Sequence, residues 1–424
     1  MIDKVSEGNW SYKTLSDLTG SDGIFCDGDW IESKDQDKNG TIRLIQLSDI
    51  GDGIFQDRSD RYLTRDKASL LNCTFLQEGD VLIARMPDPL GRCCIFPLKG
   101  ENKFITAVDI CIVRVDKEVV DNKFLCYSIN SPQIRNAIHD LKSGTTRKRI
   151  SRNNLNTINI PCPPLSEQRS IVARIEELFT KLNAGGQLLE TTKEQLRTYK
   201  QAVLKSAFEG RLTKKNIVKD ELPSAWRSVK LNDICKKIIG GGTPKSDHPD
   251  YWSGDIPWIS SADIFGIRDI KPRRRITSEA INDSATNILP RGGIIVVTRV
   301  GLGKVAVAPY DICFSQDNQG LILNPELVTE EYAIRYLMFA VQTFKAKSRG
   351  TTISGITKNQ LRNLKFILPP KEDQIILIKE IESRISDCEN LEITIEDAIR
   401  RTEDLKRSIL KQAFEGKLVK PQTN

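Results

Sequence analysis

"LKSAFEGRL" at Leu204–Leu212 returns almost unchanged as "LKQAFEGKL" at Leu410–Leu418. Self-similarity at a fixed shift marks a duplicated structural unit. Sliding the chain by 206 residues aligns far more than this nonapeptide. "SGTTRKRISRNNL" at Ser143–Leu155 falls over "RGTTISGITKNQL" at Arg349–Leu361, and "PCPPLSEQ" at Pro161–Gln168 over "ILPPKEDQ" at Ile367–Gln374. The register then runs without a gap to the closing AFEG. "WSYKTLSDL" from Trp10 and "WRSVKLNDI" from Trp226 open the two halves, and "EGDVLIAR" at Glu78–Arg85 resembles "RGGIIVVTR" at Arg291–Arg299. The chain reads as two copies of one plan, a variable domain followed by a helix. The boundaries this implies are 1–160, 161–215, 216–368 and 369–424.

The helical segments carry heptads. Ile175, Leu182, Leu189, Leu196 and Val203 recur every seven residues, with Ile171, Leu178 and Tyr199 at offset positions. In the second copy Ile381, Cys388, Ile395 and Ile409 continue that row, and Leu377, Leu391, Ala398 and Leu405 form the offset one. A sustained seven-residue repeat is the signature of a coiled-coil seam. Gly185, Thr192, Arg384 and Thr402 interrupt it. Pro-Pro pairs open each helix, and Gly210 and Gly416 stand where a left-handed cap belongs. Each helix should run about 45 residues, or roughly 65 Å. A narrow apolar stripe is not stable alone. Two such helices in one chain can pair antiparallel, making a pseudo-two-fold object from a direct repeat; the competing arrangement pairs each helix with another molecule.

The variable halves read as mixed α/β. Short β-rich runs such as "TIRLIQL", "DVLIAR" and "GGIIVVTRV" are separated by Gly, Asp and Pro turns. Each half closes with a modest helix, "KFLCYSINSPQIRNAIHDL" and "EEYAIRYLMFAVQTFKAK", the first interrupted by Pro132. The fold class expected is therefore α+β: two globular α/β domains separated by two long antiparallel helices.

Composition excludes several functions. Hydrophobic residues make up 39% of the 424 and charged residues 28%, as in soluble globular proteins. No run of about 18 apolar residues suggests a membrane span, and "MIDKVSEGNWSYK" has no secretory core. A cytoplasmic protein with reduced thiols is expected. Ten cysteines without a CxxC, and only two histidines, argue against a zinc site. Net charge is +7, but residues 1–158 carry 22 Lys/Arg against 23 Asp/Glu, while residues 222–370 carry 20 against 13. Two stretches lack acids altogether. Leu141–Ser166 contains Lys142, Arg147, Lys148, Arg149 and Arg152; Tyr332–Lys371 contains Lys345, Lys347, Arg349, Lys358, Arg362 and Lys365. Such stretches attract polyanions because no neighbouring carboxylate cancels the field.

Catalytic signatures are missing. "IPCPPL" and "ILPPKE" lack the polar residue and the aromatic that flank the prolines of an amino-methyltransferase motif. "GLGK" at Gly301–Lys304 lacks the rest of a phosphate-binding loop. "PDYW" at Pro249–Trp252 is not followed by the acid-x-Lys pattern of a restriction-type nuclease, and His139 and His248 have no nucleophilic or metal-binding neighbours.

A Trp-opened variable domain, a basic Gly-Thr-Thr loop, the "PPLSEQ" helix entry and a helix closing in "LKSAFEGRL", all present twice, resemble the specificity subunit of type I restriction-modification systems. The second copy departs in "PPKEDQ" and in its weaker heptads. The resemblance implies two target recognition domains, each reading half of a bipartite double-stranded DNA sequence. It implies that the helices set the gap between half-sites and dock two methyltransferase subunits, which restriction subunits join. S-adenosylmethionine, ATP and Mg would then belong to the partners, with no cofactor on this chain.

Phosphates would be met by Lys and Arg, and bases by a smaller set of side chains. The candidates are Arg147, Lys148, Arg149 and Arg152 in the first domain. In the second they are Arg273, Arg274 and Arg275 of "KPRRR", Arg299 and Lys304 of "TRVGLGK", Arg349 and Lys358. Two alternatives remain open from sequence: a specificity module of a combined methylase–nuclease, and a coiled-coil scaffold without DNA contact.

Overall fold

The computed structural model describes residues 10–86, 89–145, 147–214, 221–347 and 355–419. Its contacts divide the chain into two units, Met1–Thr191 with Ile395–Asn424, and Thr192–Thr394. The division falls inside both long helices, so each is shared between units instead of forming a helical domain of its own.

In the first unit the strands are β1 (Ser11–Lys13), β2 (Ile24–Asp27), β3 (Ile42–Ile45), β4 (Arg61–Leu63), β5 (Val81–Ala84), β6 (Cys93–Ile95), β7 (Phe104–Thr106), β8 (Ile110–Arg114) and β9 (Ile160–Cys162). They form an antiparallel sheet β2-β8-β5-β6, a three-stranded sheet β4-β3-β7 with one parallel pair, and the ribbon β1-β9. Four short helices accompany them: α1 (Arg65–Leu70), α2 (Asn122–Ile129), α3 (Pro132–Asp140) and α4 (Arg152–Asn156). Pro132 does break the closing helix, because it sits at the first position of α3 behind the Ser131 cap.

The long helix α5 (Leu165–Phe208) follows and passes into the second unit. There the strands are β10 (Arg227–Lys230), β11 (Cys235–Gly240), β12 (Ile256–Ile259), β13 (Arg274–Ile276), β14 (Ile288–Leu289), β15 (Ile294–Val297), β16 (Val305–Val307), β17 (Ile312–Phe314), β18 (Asn318–Leu323) and β19 (Lys365–Leu368). Helices α6 (Ser278–Asn282), α7 (Glu330–Lys347), α8 (Lys358–Arg362) and α9 (Lys371–Phe414) complete it. The topology repeats: antiparallel β11-β18-β15-β16, a sheet β13-β12-β17-β14 with one parallel pair, and the ribbon β10-β19. Helices α5 and α9 are each 44 residues long, and their ends coincide at the 206-residue shift.

Strand alternation explains the near-continuous apolar runs. Val81 and Ile83 face one core with Cys93, Cys111 and Val113, while Leu82 and Ala84 face another with Cys94, Ile110 and Ile112. Ile294 and Val296 separate from Ile295 and Val297 in the same way. Each central sheet is therefore buried on both faces, and period-two patterning disappears. All ten cysteines are unpaired, and eight of them are buried.

Within each unit the helix segments run antiparallel. In the first, Val172 and Ile175 share a core with Leu410, Ala413 and Phe414, while Gly186 lies beside Thr402. In the second, Lys200 meets Glu392 at 2.6 Å, and Ala207 and Phe208 join Leu377, Ile378 and Ile381. The heptad row lies in the packed face: Ile175, Val203, Ile381 and Ile395 are buried, and Leu182, Leu189, Leu196 and Ile409 half-buried. The companion row holds in part: Ile171 and Leu377 are buried and Leu178 and Ala398 half-buried. Leu405 and Leu391 are each 51% exposed and Tyr199 is 44% exposed, so none belongs to the seam. A further covered row lies one position later, at Val172, Phe179, Gly186, Lys193, Lys200 and Ala207, and at Ile378, Ile385, Glu392, Ile399, Lys406 and Ala413. Lys193, Lys200, Glu392 and Lys406 interrupt that row and hide it. Gly210 and Gly416 adopt φ of +78° and +74°, and Arg211 and Lys417 donate back to the carbonyls of Ser206 and Gln412, closing both helices identically.

Candidate nucleic-acid interface

Each unit anchors its domain to a helix entry in the same manner. The Trp10 indole N–H donates to Glu167 at 3.0 Å, and the Trp226 indole N–H donates to Asp373 at 2.8 Å. Burial alone would raise the Asp373 carboxyl, but hydrogen bonds from Lys214 and Trp226 outweigh it and hold the group below its ordinary range. The next residue is a fully buried glutamine in both copies. Gln168 donates to the carbonyls of Pro163 (2.8 Å) and Val119 (3.1 Å) and accepts from the Asp121 N–H (2.9 Å). Gln374 donates to Pro369 (2.9 Å) and Leu327 (3.0 Å) and accepts from Thr329 (2.8 Å). One amide thus satisfies three backbone groups that burial would otherwise strand.

The basic loop of the first unit is a small hairpin. Ser143 and Arg149 exchange backbone hydrogen bonds of 2.8 and 2.9 Å, and Gly144 turns at φ +96°. A Cβ there would meet the Arg147 carbonyl at 2.5 Å, so the turn requires glycine. Arg147, Lys148 and Arg149 are exposed on it. Behind it, buried Ile150 donates to the Arg85 carbonyl at the end of β5. Arg85 is itself tied to Val108 (2.6 Å) and Asp27 (3.2 Å), and Arg152 opens α4 half-buried. Beside the hairpin lies a groove of about 760 Å³ lined by Arg147, Arg149, Trp30, Met86 and Asp109. Trp30 is 72% exposed. Asp29 also lines the groove, and burial pushes its carboxyl up to about 6 despite a hydrogen bond from Thr74.

In the second unit the corresponding anchor is Ile356 donating to the Thr298 carbonyl at 2.7 Å. The counterpart of Arg85 is therefore Thr298, and Arg299 is one residue further on, exposed beside Gly355. The exposed Lys304 uses two of its three ammonium donors within its own domain, on the carbonyls of Ser261 (2.9 Å) and Ile264 (2.8 Å). Lys358 is exposed at the start of α8. Arg349 and the side chains of Lys345 and Lys347 lie outside the described residues.

The "KPRRR" cluster borders a separate cleft of about 700 Å³, which it shares with Trp252. All three arginines are exposed, but in different circumstances. Arg273 pairs with Asp263, whose carboxyl burial would raise but the Ser260 N–H and Arg273 together hold low. Arg275 donates to the Asp255 carbonyl at 2.7 Å, and Arg274 sits over the Trp252 ring, 5.0 Å from its centre. Sequence reading found the arginines and missed Trp30, Trp252 and Asp109, which carry no repeat or charge signal. Among the described residues no cluster of His, Cys, Asp and Glu could hold a metal, and no helix is long and apolar enough to cross a membrane.

The duplicated anchors and topology agree with comparison to known proteins. Residues 7–193 and 223–402 match the type I restriction modification DNA specificity domain. The chain belongs to that family. A putative type I restriction enzyme MjaX specificity subunit from Methanocaldococcus jannaschii is 24% identical, over 80% of this chain and 78% of its own. The EcoBI specificity subunit from Escherichia coli is 25% identical, over 73% and 68%. Among solved structures, the HsdS subunit of Thermoanaerobacter tengcongensis superposes with a TM-score of 0.57 at 20% identity, over 97% and 98% of the two chains. A chain from a study of complex assembly and conformational transition in the type I R-M system superposes with a TM-score of 0.73 at 22% identity, over 98% and 99%. These likenesses place the fold: two copies of the specificity domain, each with mixed α/β sheets, and two long helices.

Proposed function

We propose that this chain is the reader of a type I restriction-modification enzyme, with each unit recognising one half of a bipartite double-stranded DNA target. The observation that carries this reading is the duplication of one anchored scaffold with an exposed basic hairpin and adjoining groove in the first unit, and an arginine-bordered cleft in the second. A scaffold kept twice with two different solvent-facing recesses suits two unlike half-sites. In this reading α5 and α9, each shared by both units, set the distance between half-sites and dock two methyltransferase subunits. Restriction subunits complete the assembly. S-adenosylmethionine, ATP and Mg are bound by those partners, and this chain carries none of them. A cytoplasmic location follows from the substrate.

The test is a methylation map. Co-expression with the methyltransferase subunits in a host lacking other modification should place methyl groups at one bipartite motif. Methylation at a single uninterrupted motif would overturn the two-reader reading, and none at all would remove the chain from target selection.

A further inference from the structure

The cleft of the second unit shows a division of labour among Arg273, Arg274 and Arg275. Arg273 is committed to Asp263, and Arg275 has donated to the Asp255 carbonyl. Among the described residues the Arg274 side chain has no hydrogen-bond acceptor, and its guanidinium lies over the Trp252 ring. A cation over an indole face is held by the ring quadrupole while its N–H groups stay available.

That ring is itself immobilised. The Trp252 N–H donates to the Lys245 carbonyl at 3.1 Å. Trp252 packs edge-on against Trp258, with centres 5.2 Å apart at 88°. Buried Trp258 donates in turn to the Gly242 carbonyl at 2.9 Å and pairs in register with Arg274 across β12 and β13. Gly254 lets the chain pass the Ile276 carbonyl, which a Cβ would approach to 2.2 Å. Arg274 therefore stands over one ring of an edge-to-face pair pinned to one loop, on the edge strand of its sheet. A side chain ordered before binding loses little entropy on contact. The cleft also presents Pro249, Pro272, Ser246 and Ser253. These small apolar and hydroxyl groups suit base edges, and Arg273 and Arg275, which also line the cleft, already have partners within the protein.

We propose that Arg274, held over Trp252, reads a guanine in the half-site faced by the second unit. The inference deepens the DNA-reading function proposed above and rests on it. Two guanidinium N–H groups match the O6 and N7 acceptors of guanine in the major groove, a pattern no other base presents there.

The experiment uses the complex of the full chain with co-expressed methyltransferase subunits and a pool of duplexes with a randomised central segment. Bound duplexes are sequenced for the wild type and for R274A, R274K and W252A. The wild type should enrich a bipartite motif with a guanine in one half. R274A should erase the preference at that one position, a loss of about 5- to 100-fold in discrimination, and R274K, which lacks the planar fork, should weaken it, while the other half-site is unchanged. R274K keeps the charge, so its loss of discrimination separates base reading from electrostatics. W252A should weaken the same preference. The proposal is overturned if R274A lowers affinity equally for all sequences and reduces the salt slope by about one, which marks a phosphate contact. It is also overturned if the enriched motif does not change. If the wild type enriches no motif at all, the DNA-reading function falls, and this inference with it. Retention of the unchanged half-site by each variant shows that the protein is folded.

Discussion

The two units share a frame and differ in the recesses that frame presents. The Trp10–Glu167 and Trp226–Asp373 contacts, the Gln168 and Gln374 amides and the glycine caps coincide. The recesses do not. In the first unit an exposed Trp30 stands near Asp29 and Asp109 beside an arginine hairpin, whereas in the second an arginine stands over Trp252. Residues that hold backbone to backbone are tied to geometry, and those facing solvent are free to diverge with whatever they meet. In the first recess, carboxylates suit donor groups such as the exocyclic amine of cytosine; in the second, guanidinium suits acceptors.

Four experiments break or sharpen this comparison. Inserting one heptad after Gly186 alone should abolish recognition of the bipartite site, because it moves one strand of the helix pair about 10 Å against the other. Matching insertions after Gly186 and Thr402 should restore binding to a target whose gap is longer by roughly three base pairs. Binding selections on both variants check this, and an unchanged gap would show that the helices do not set spacing. Next in size, Gln374→Ala should destabilise by about 3 kcal/mol, since three buried backbone groups lose their partner, and Gln168→Ala should cost about the same. Denaturant melts read both, and a large inequality would break the equivalence of the two anchors.

Changing Arg147, Lys148 and Arg149 together to alanine should weaken binding to every sequence on the order of tenfold and flatten the plot of log affinity against log salt by about 0.9 per lost phosphate contact. An unchanged slope would remove the hairpin from the interface. The smallest effect is expected at Gly185, exposed in the interior of α5 with nothing within 4 Å of an added Cβ. Gly185→Ala should raise stability by about 1 kcal/mol without touching recognition, as thermal melts would show.

The repeat, the helix limits and the glycine caps were legible because they rest on local rules: prolines that cannot continue a helix, glycines that turn left-handed, apolar residues spaced by sevens. The shared acid and glutamine were also legible in "PPLSEQ" and "PPKEDQ", whose last two positions agree in kind. The glutamines' partners, at Val119, Asp121, Leu327 and Thr329, are backbone groups, which no side-chain pattern announces. The second seam row was hidden because Lys200 and Glu392 interrupt it as a charge pair, and a search for apolar residues passes over them. At Lys304 the neighbouring glycines suggested an approach to phosphate, and no side-chain pattern announced that two of its ammonium donors hold carbonyls of its own domain. Trp30 and Trp252 belong to divergent surface, where a single sequence has no internal second copy to compare.

The Lys200–Glu392 contact joins α5 to α9 in the second unit with both side chains less than one-third exposed. At the pseudo-symmetric place in the first unit Gly186 replaces the acid, and Lys406 turns to Glu403 of its own helix at 2.8 Å. Among the described residues this charge pair stands at one of two equivalent places and is missing at the other, so the helix pair is fastened unequally there. Deuterium should enter the backbone amides of the helix segments in the first unit sooner than those in the second.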